Sequence, residues 1–233
     1  MLFGSFLNVL ILRIPKEESI VFPGSHCPKC NNKLKWWHNI PVLSWLILGG
    51  KCYFCKEKIS IQYPLIELAT AAIFALVYWK LQNVPFAVIT GLVFALLLGL
   101  SVIDLRYKAV PDSLNLSALT LAIFASDTIL ANFVNALLFA GGFSLLRFYV
   151  SFILQKEALG EADIMIAATI GAMVGLKLGA VAIFLSAIIA LPVFIVIREK
   201  DLEVPYIPFL ALALFIVYMA SDFFDMVLVK LYG

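Results

Sequence analysis

Four cysteines stand in two tight pairs, Cys27-Pro28-Lys29-Cys30 and Cys52-Tyr53-Phe54-Cys55. Each C-x2-C turn can present two thiolates to one metal ion. Two such turns about twenty residues apart complete a four-sulfur tetrahedron around zinc. A closed set of four sulfurs leaves no position for a reacting water, so the expected role is structural. Metal binding would fold a loop too small to build its own core. Two disulfides or unrelated cysteines are the alternatives, and a reducing cytoplasmic setting argues against the disulfides. Four sulfurs need no fifth ligand, so His26 and His38 are expected to be ordinary surface residues.

The second group with chemistry to offer is acidic. Glu67, Asp104, Asp112 and Asp163 lie in or at the edges of strongly apolar stretches. Ionisable groups at membrane depth cost several kcal/mol on most scales and mark function or a specific partner. Asp112 follows Pro111 and suits a helix start. Asp163 also suits a helix N-terminus. Asp104 closes the segment VFALLLGLSVID, where an acid meets the unfavourable end of the helix dipole. Glu67 sits about one turn into its apolar segment, either holding a backbone or Arg partner or binding a ligand.

These groups must be positioned by a membrane protein. The chain of 233 residues is 63% hydrophobic and 14% charged, against about 25% charged in soluble domains. The expected fold is an all-α polytopic integral membrane protein. About eight transmembrane helices are expected, over 1–13, 63–79, 86–103, 113–126, 132–153, 163–176, 178–197 and 205–221, with a tight turn near Lys177. The first is short for a span of about 20 residues, and no basic region or cleavage site marks it as a signal peptide. Residues 14–62 interrupt the apolar rhythm as a polar, basic loop domain holding all four cysteines. Residues 63–233 form the transmembrane core.

Placing the 14–62 loop in the cytoplasm puts Arg13, Lys16, Lys29, Lys33, Lys35, Lys51, Lys56 and Lys58 on that side. Alternation adds Arg106, Lys108, Arg147, Lys156, Arg198 and Lys200. Only Lys80, Lys177 and Lys230 of the 17 basic residues face outward, as the positive-inside rule requires. Asp104 and Asp163 then both reach the cytoplasmic face, joined by one helical hairpin. Two carboxylates in one low-dielectric site cannot both ionise comfortably and share a proton. One can then deprotonate a water that attacks a peptide carbonyl, while its neutral partner supports the oxyanion. Inside the loop, KWWHNIPVLSWLILGG is very apolar. It reads as an interfacial or re-entrant segment, or as a substrate or cofactor surface.

Several stretches in order resemble one family. GSFLNVLILRIP, CPKC, WWHNIPVLSWL, GGKCYFC, ISIQYPLIELATA, IDLRYKAVPD and GEAD are similar to those of the bacterial prepilin peptidases, the type IV leader peptidases. The resemblance covers roughly residues 3–177 and reaches VPYIPFLALAL more weakly. It implies a membrane aspartyl protease that cuts the leader of type IV prepilins and pseudopilins after a glycine, at the cytoplasmic face of the bacterial inner membrane. Asp104 matches the first catalytic aspartate and Asp163 the second, which ends a G-x-G-D motif. The four-cysteine loop implies the bifunctional type, which N-methylates the new N-terminus with S-adenosylmethionine. Glu67 and the NIPVLSW stretch are the candidates for holding that N-terminus or the methyl donor. Prepilins and membrane lipid are the implied partners, with no nucleic acid. Two departures stand out: Ala162 replaces the second glycine of the motif, and Met165 stands where a lysine is common. The rival readings are a proton-coupled transporter component and a methyltransferase with an inactive protease site.

Overall fold

The computed structural model describes residues 1–155, 160–196 and 205–232. Lys156, Arg198 and Lys200, used above to orient the chain, lie outside the described residues, as does the last residue of the 178–197 segment. The described residues are helical, with no β-strand beyond two isolated bridges. Two compact units are present, Met1–Leu76 and Val77–Gly233.

The first unit begins with α1 (Leu2–Arg13), continues through 3-10 turns at Ile14–Lys16 and Trp36–Asn39 and the short α2 (Leu43–Ile47), and enters α3 (Gln62–Leu81). Close approach fixes α1 on α3. A Cβ on Gly4 would sit 2.7 Å from the Glu67 Cα, and Phe3 stacks on Phe74 at 5.4 Å. Asn8 is buried. Its Nδ2 donates to the Tyr63 carbonyl, and its Oδ1 accepts from Gln62 Nε2. A buried amide is tolerated because its polar atoms are paired.

The second unit contains α4 (Val84–Tyr107), α5 (Asp112–Ile123), α6 (Ile129–Leu154), α7 (Glu161–Val196), α8 (Ile207–Met219) and α9 (Ser221–Tyr232). Asn83 caps α4, its Oδ1 accepting from the Phe86 N–H at 3.3 Å. Helix α5 packs against α4, α6 and α7, and α8 packs against α4 and α7.

Helix α7 is two helices joined at Gly175, whose φ of 74° and ψ of −176° are not helical. Only glycine adopts that conformation readily. Phe139 of α6 occupies the elbow. A Cβ on Gly171 would lie 2.4 Å from one edge of its ring, and a Cβ on Gly179 would lie 2.5 Å from the other. One ring touching both positions brings them well inside the ~12 Å that eight residues of straight helix would span. The stretch expected as two segments therefore bends at Gly175 rather than at Lys177.

Each of the eight expected apolar segments contains helix among the described residues, but the 113–126 segment stops being helical after Ile123 and the 205–221 segment becomes helical only at Ile207. Among the described residues four helices, α3, α4, α6 and the bent α7, are long and apolar enough to cross a membrane, and up to five if the bent pair α8–α9 counts as one. Helices α1 and α5 have 12 residues each, about 18 Å against a hydrocarbon core of about 30 Å. Helix α9 was not expected. It leaves α8 at an 83° bend, where Lys80 Nζ donates to Ser221 Oγ at 3.0 Å and to the Met219 carbonyl at 3.3 Å.

Candidate active site and metal centre

The four cysteines converge within the first unit. Their sulfurs all lie within 4.8 Å of one another, and Cys27 Sγ is 3.8 Å from Cys55 Sγ. A tetrahedron with metal–sulfur bonds of ~2.3 Å has edges of ~3.8 Å, so the cluster can hold a metal ion. The two halves are built alike. Asn31 N–H donates to the Cys27 carbonyl and Lys56 N–H to the Cys52 carbonyl. Both Asn31 and Lys56 have positive φ, which turns the chain back after each pair. None of the four cysteines is joined in a disulfide.

The sulfurs themselves ask for a cation. The Asn32 backbone N–H draws the Cys30 thiol down from its ordinary range. The Glu57 backbone N–H favours the Cys55 thiolate in the same way. Desolvation and the three other sulfurs prevail there and push that thiol up to about 11. Four thiolates in this space repel one another unless a cation lies between them.

His38 is more than a surface residue. It stacks on Tyr53 at 4.9 Å and meets Trp37 and Phe54 edge-on. His26 makes only a local contact, its Nδ1 lying 2.9 Å from the Gly24 carbonyl.

Glu67 is 6% exposed. Its Oε2 accepts the Val42 N–H at 2.8 Å. Val42 is the centre of a tight γ-turn: its φ is 63° and ψ −51°, and Leu43 N–H reaches the Pro41 carbonyl at 2.6 Å. A β-branched residue rarely adopts positive φ, and such strain concentrates where the chain is held for a purpose. The structure thus joins two sequence candidates, Glu67 and the NIPVLSW stretch. The carboxylate has a backbone donor but no ion-pair partner among the described residues.

In the second unit, Asp104 lies near the end of α4 and Asp163 near the start of α7, two helices that both pack against α5 and α8. Asp104 is 7% exposed and its Oδ2 accepts the Ile207 N–H at 3.2 Å. Ile207 is the first residue of α8, so the unfavourable dipole at the end of α4 is offset by the favourable N-terminus of another helix. Ser186 and the Tyr206 hydroxyl, 2.8 Å apart, tie that N-terminus to the second half of α7. Asp163 Oδ2 accepts the Gly160 N–H at 3.3 Å. Arg147 pairs with Glu161 at 3.2 Å beside it. Ala162 is accommodated in regular helix. Asp112 is exposed at the start of α5, as a helix-end acid. Ile207 was missed in the sequence because a backbone donor carries no residue-type signal.

Two family models match the chain. Residues 1–81 match the family model described as Bacterial Peptidase A24 N-terminal domain. Residues 91–195 match the Type IV leader peptidase family. A prepilin leader peptidase/N-methyltransferase of Neisseria gonorrhoeae is 35% identical over 95% of this chain and 88% of its own length. Its namesake in Pseudomonas aeruginosa is 32% identical over the same shares. One from Klebsiella pneumoniae is 39% identical over 74% of this chain and 81% of its own length. No solved structure matches the chain.

Proposed function

The chain belongs to the type IV leader peptidase family, and on that premise we propose that Asp104 and Asp163 are the catalytic pair of a membrane aspartyl peptidase. The enzyme cleaves the leader peptide of type IV prepilins and methylates the new N-terminus. The observation that carries the assignment is the N-terminus of α8 aimed at Asp104, on a helix that shares its neighbours α5 and α8 with the helix of Asp163. One shared proton divides the roles. The charged aspartate takes a proton from water, the water oxygen attacks the scissile carbonyl, and the neutral aspartate donates to the developing oxyanion. The proton held by the pair then passes to the leaving amine. The excess of basic residues around this end supports a site at the cytoplasmic face, and the resemblance to prepilin peptidases supports the inner membrane as its setting.

The cysteine cluster holds a structural zinc ion, which fits its sulfur donors and its spacing. S-adenosylmethionine supplies the methyl group when bound. Glu67 is the one buried carboxylate of the first unit. A buried carboxylate without an ion pair favours a cationic ligand. Both the new N-terminal ammonium and the sulfonium of the donor have that charge, so Glu67 would hold one of them beside the Pro41–Leu43 turn.

Cleavage of a prepilin in proteoliposomes tests the pair. Asp104→Asn and Asp163→Asn should each abolish cleavage while metal content stays unchanged. Full cleavage by either variant overturns the assignment. Glu67→Gln should spare cleavage and depress methyl transfer to an already cleaved pilin; equal methyl transfer would remove Glu67 from the methylating site.

A further inference from the structure

Between the two aspartate-bearing helices lies α5, and its Asn115 is fully buried, with 0% exposure. The side chain faces a backbone group of the catalytic segment. Asn115 Nδ2 donates to the Ala162 carbonyl at 3.1 Å, and Ala162 immediately precedes Asp163. The other end of the same amide, Oδ1, is buried with no hydrogen-bond partner among the described residues. A buried acceptor left unpaired costs about 1–3 kcal/mol, and such atoms are rare in native proteins. An apolar residue of the same shape would avoid that cost, so packing alone does not account for an amide here.

We infer that Asn115 is a positioning residue of the peptidase: its N–H fixes the Ala162–Asp163 backbone, and its Oδ1 receives an N–H or O–H donor brought into the site with the substrate. The inference rests on the dyad assignment above. It gives the Ala162 departure a physical context. Glycine at this position would let the backbone explore more conformations. Alanine narrows that range, and the Asn115 clamp on the alanine carbonyl narrows it further. A donor arriving at Oδ1 would be either a substrate backbone N–H or a water that reacts.

The charged groups on the elements packed around α5 are few at this end. They are Asp104 and Arg106 on α4, Asp163 and Glu161 on α7, Arg147 on α6, which pairs with Glu161, and Asp112 on α5 itself.

Two variants test the inference in full-length enzyme reconstituted in liposomes, with steady-state cleavage of a prepilin as the readout. Asn115→Leu removes both the donor and the acceptor and should lower kcat/KM at least tenfold at unchanged metal content and melting temperature. A fall confined to kcat identifies the received donor as water; a rise in KM identifies it as substrate N–H. Asn115→Asp keeps the shape and can donate to the Ala162 carbonyl only when protonated. Its activity should therefore survive at acid pH and be lost as pH rises, displacing the alkaline limb of the profile downward by a pH unit or more. A residue that only fills space would leave that limb in place, since the isosteric side chain packs alike. Cleavage by Asn115→Leu within twofold of wild type, or an unmoved alkaline limb in Asn115→Asp, overturns the inference. Should Asn115→Leu melt early, the Asn115→Asp profile decides alone. Asp163→Asn run alongside separates the two readings: cleavage retained there sinks the dyad itself, whereas cleavage lost there with Asn115→Leu fully active sinks only the role of Asn115.

Discussion

The two units assemble their reactive groups by different means. In the first, the metal cluster is made by two local turns of near-identical design, each using its own backbone N–H groups and one residue of positive φ. In the second, each aspartate is at the end of a different helix, and the backbone groups that meet them come from Gly160 and, for Asp104, from Ile207 of a distant helix. A cluster of local turns depends on side-chain chemistry that sequence spacing displays. A dyad between helices depends on packing, and most of what holds it has no residue-type signature. The first design should fail by loss of its ligand, and the second by small displacements.

The largest effect falls on the dyad. Replacing either aspartate by asparagine should remove the general acid–base contribution, about 10²–10⁴-fold, measured as cleavage rate. The metal and the melting profile of the first unit should not change. The reverse experiment is Cys52→Ser, at a buried sulfur. It should empty the site, read as metal per chain by elemental analysis. Structural zinc contributes about 10–16 kcal/mol in small domains, so the first unit should become protease-sensitive. If Cys52→Ser keeps full metal, the four-sulfur reading of the first unit fails.

A packing lesion comes next. In Gly171→Ala the new methyl meets the Phe139 ring at 2.4 Å and the Asn135 carbonyl at 2.6 Å. Overpacking of this kind costs about 1–3 kcal/mol. Thermal melts in detergent should show the loss, and trimming Phe139 to Leu should recover only part of it, because the Asn135 backbone stays. Full recovery would mean that the elbow is set by the ring alone.

Smaller again is the strain at Val42. Glycine there relieves the positive-φ turn but frees the unfolded chain, so Val42→Gly should shift stability by about 1 kcal/mol or less. Glu67→Ala leaves the Val42 N–H unpaired and should cost about 1–3 kcal/mol. If Val42→Gly proves the more damaging of the two in the same melts, the turn is not a strained one.

The smallest prediction is a pH dependence. In metal-free protein the Cys55 thiol is raised from 9.0 to about 11. A group with a raised folded pKa binds protons that the unfolded chain has released, so its stabilisation is full below pH 9 and lost as pH climbs toward 11. The melting temperature of chelator-treated protein should fall over that window. The metal-loaded protein should not show this fall, because the metal holds the thiolate.

Much of this was legible before any coordinates. Cysteine spacing announced the cluster, because C-x2-C pairs have few other uses at that separation. The misfit of Asp104 at a helix C-terminus announced a partner, because the dipole there opposes an acid. Length and hydropathy located the helices. They could not separate α7 at Gly175 from a break at Lys177, since both lie in one short stretch of small and apolar residues. They missed α9, whose mixed polar and apolar pattern does not resemble a span.

The sequence alone determined that this is a helical membrane protein, with a four-sulfur loop and aspartates near helix ends, because composition and periodicity respond directly to water and lipid. Tertiary structure alone decided which groups those aspartates meet. The Ile207 N–H, the Asn115 amide on the Ala162 carbonyl and the Phe139 wedge in the α7 elbow are matters of close approach between helices far apart in the chain. Backbone donors are the same at every residue, so only packing selects the ones that reach a carboxylate.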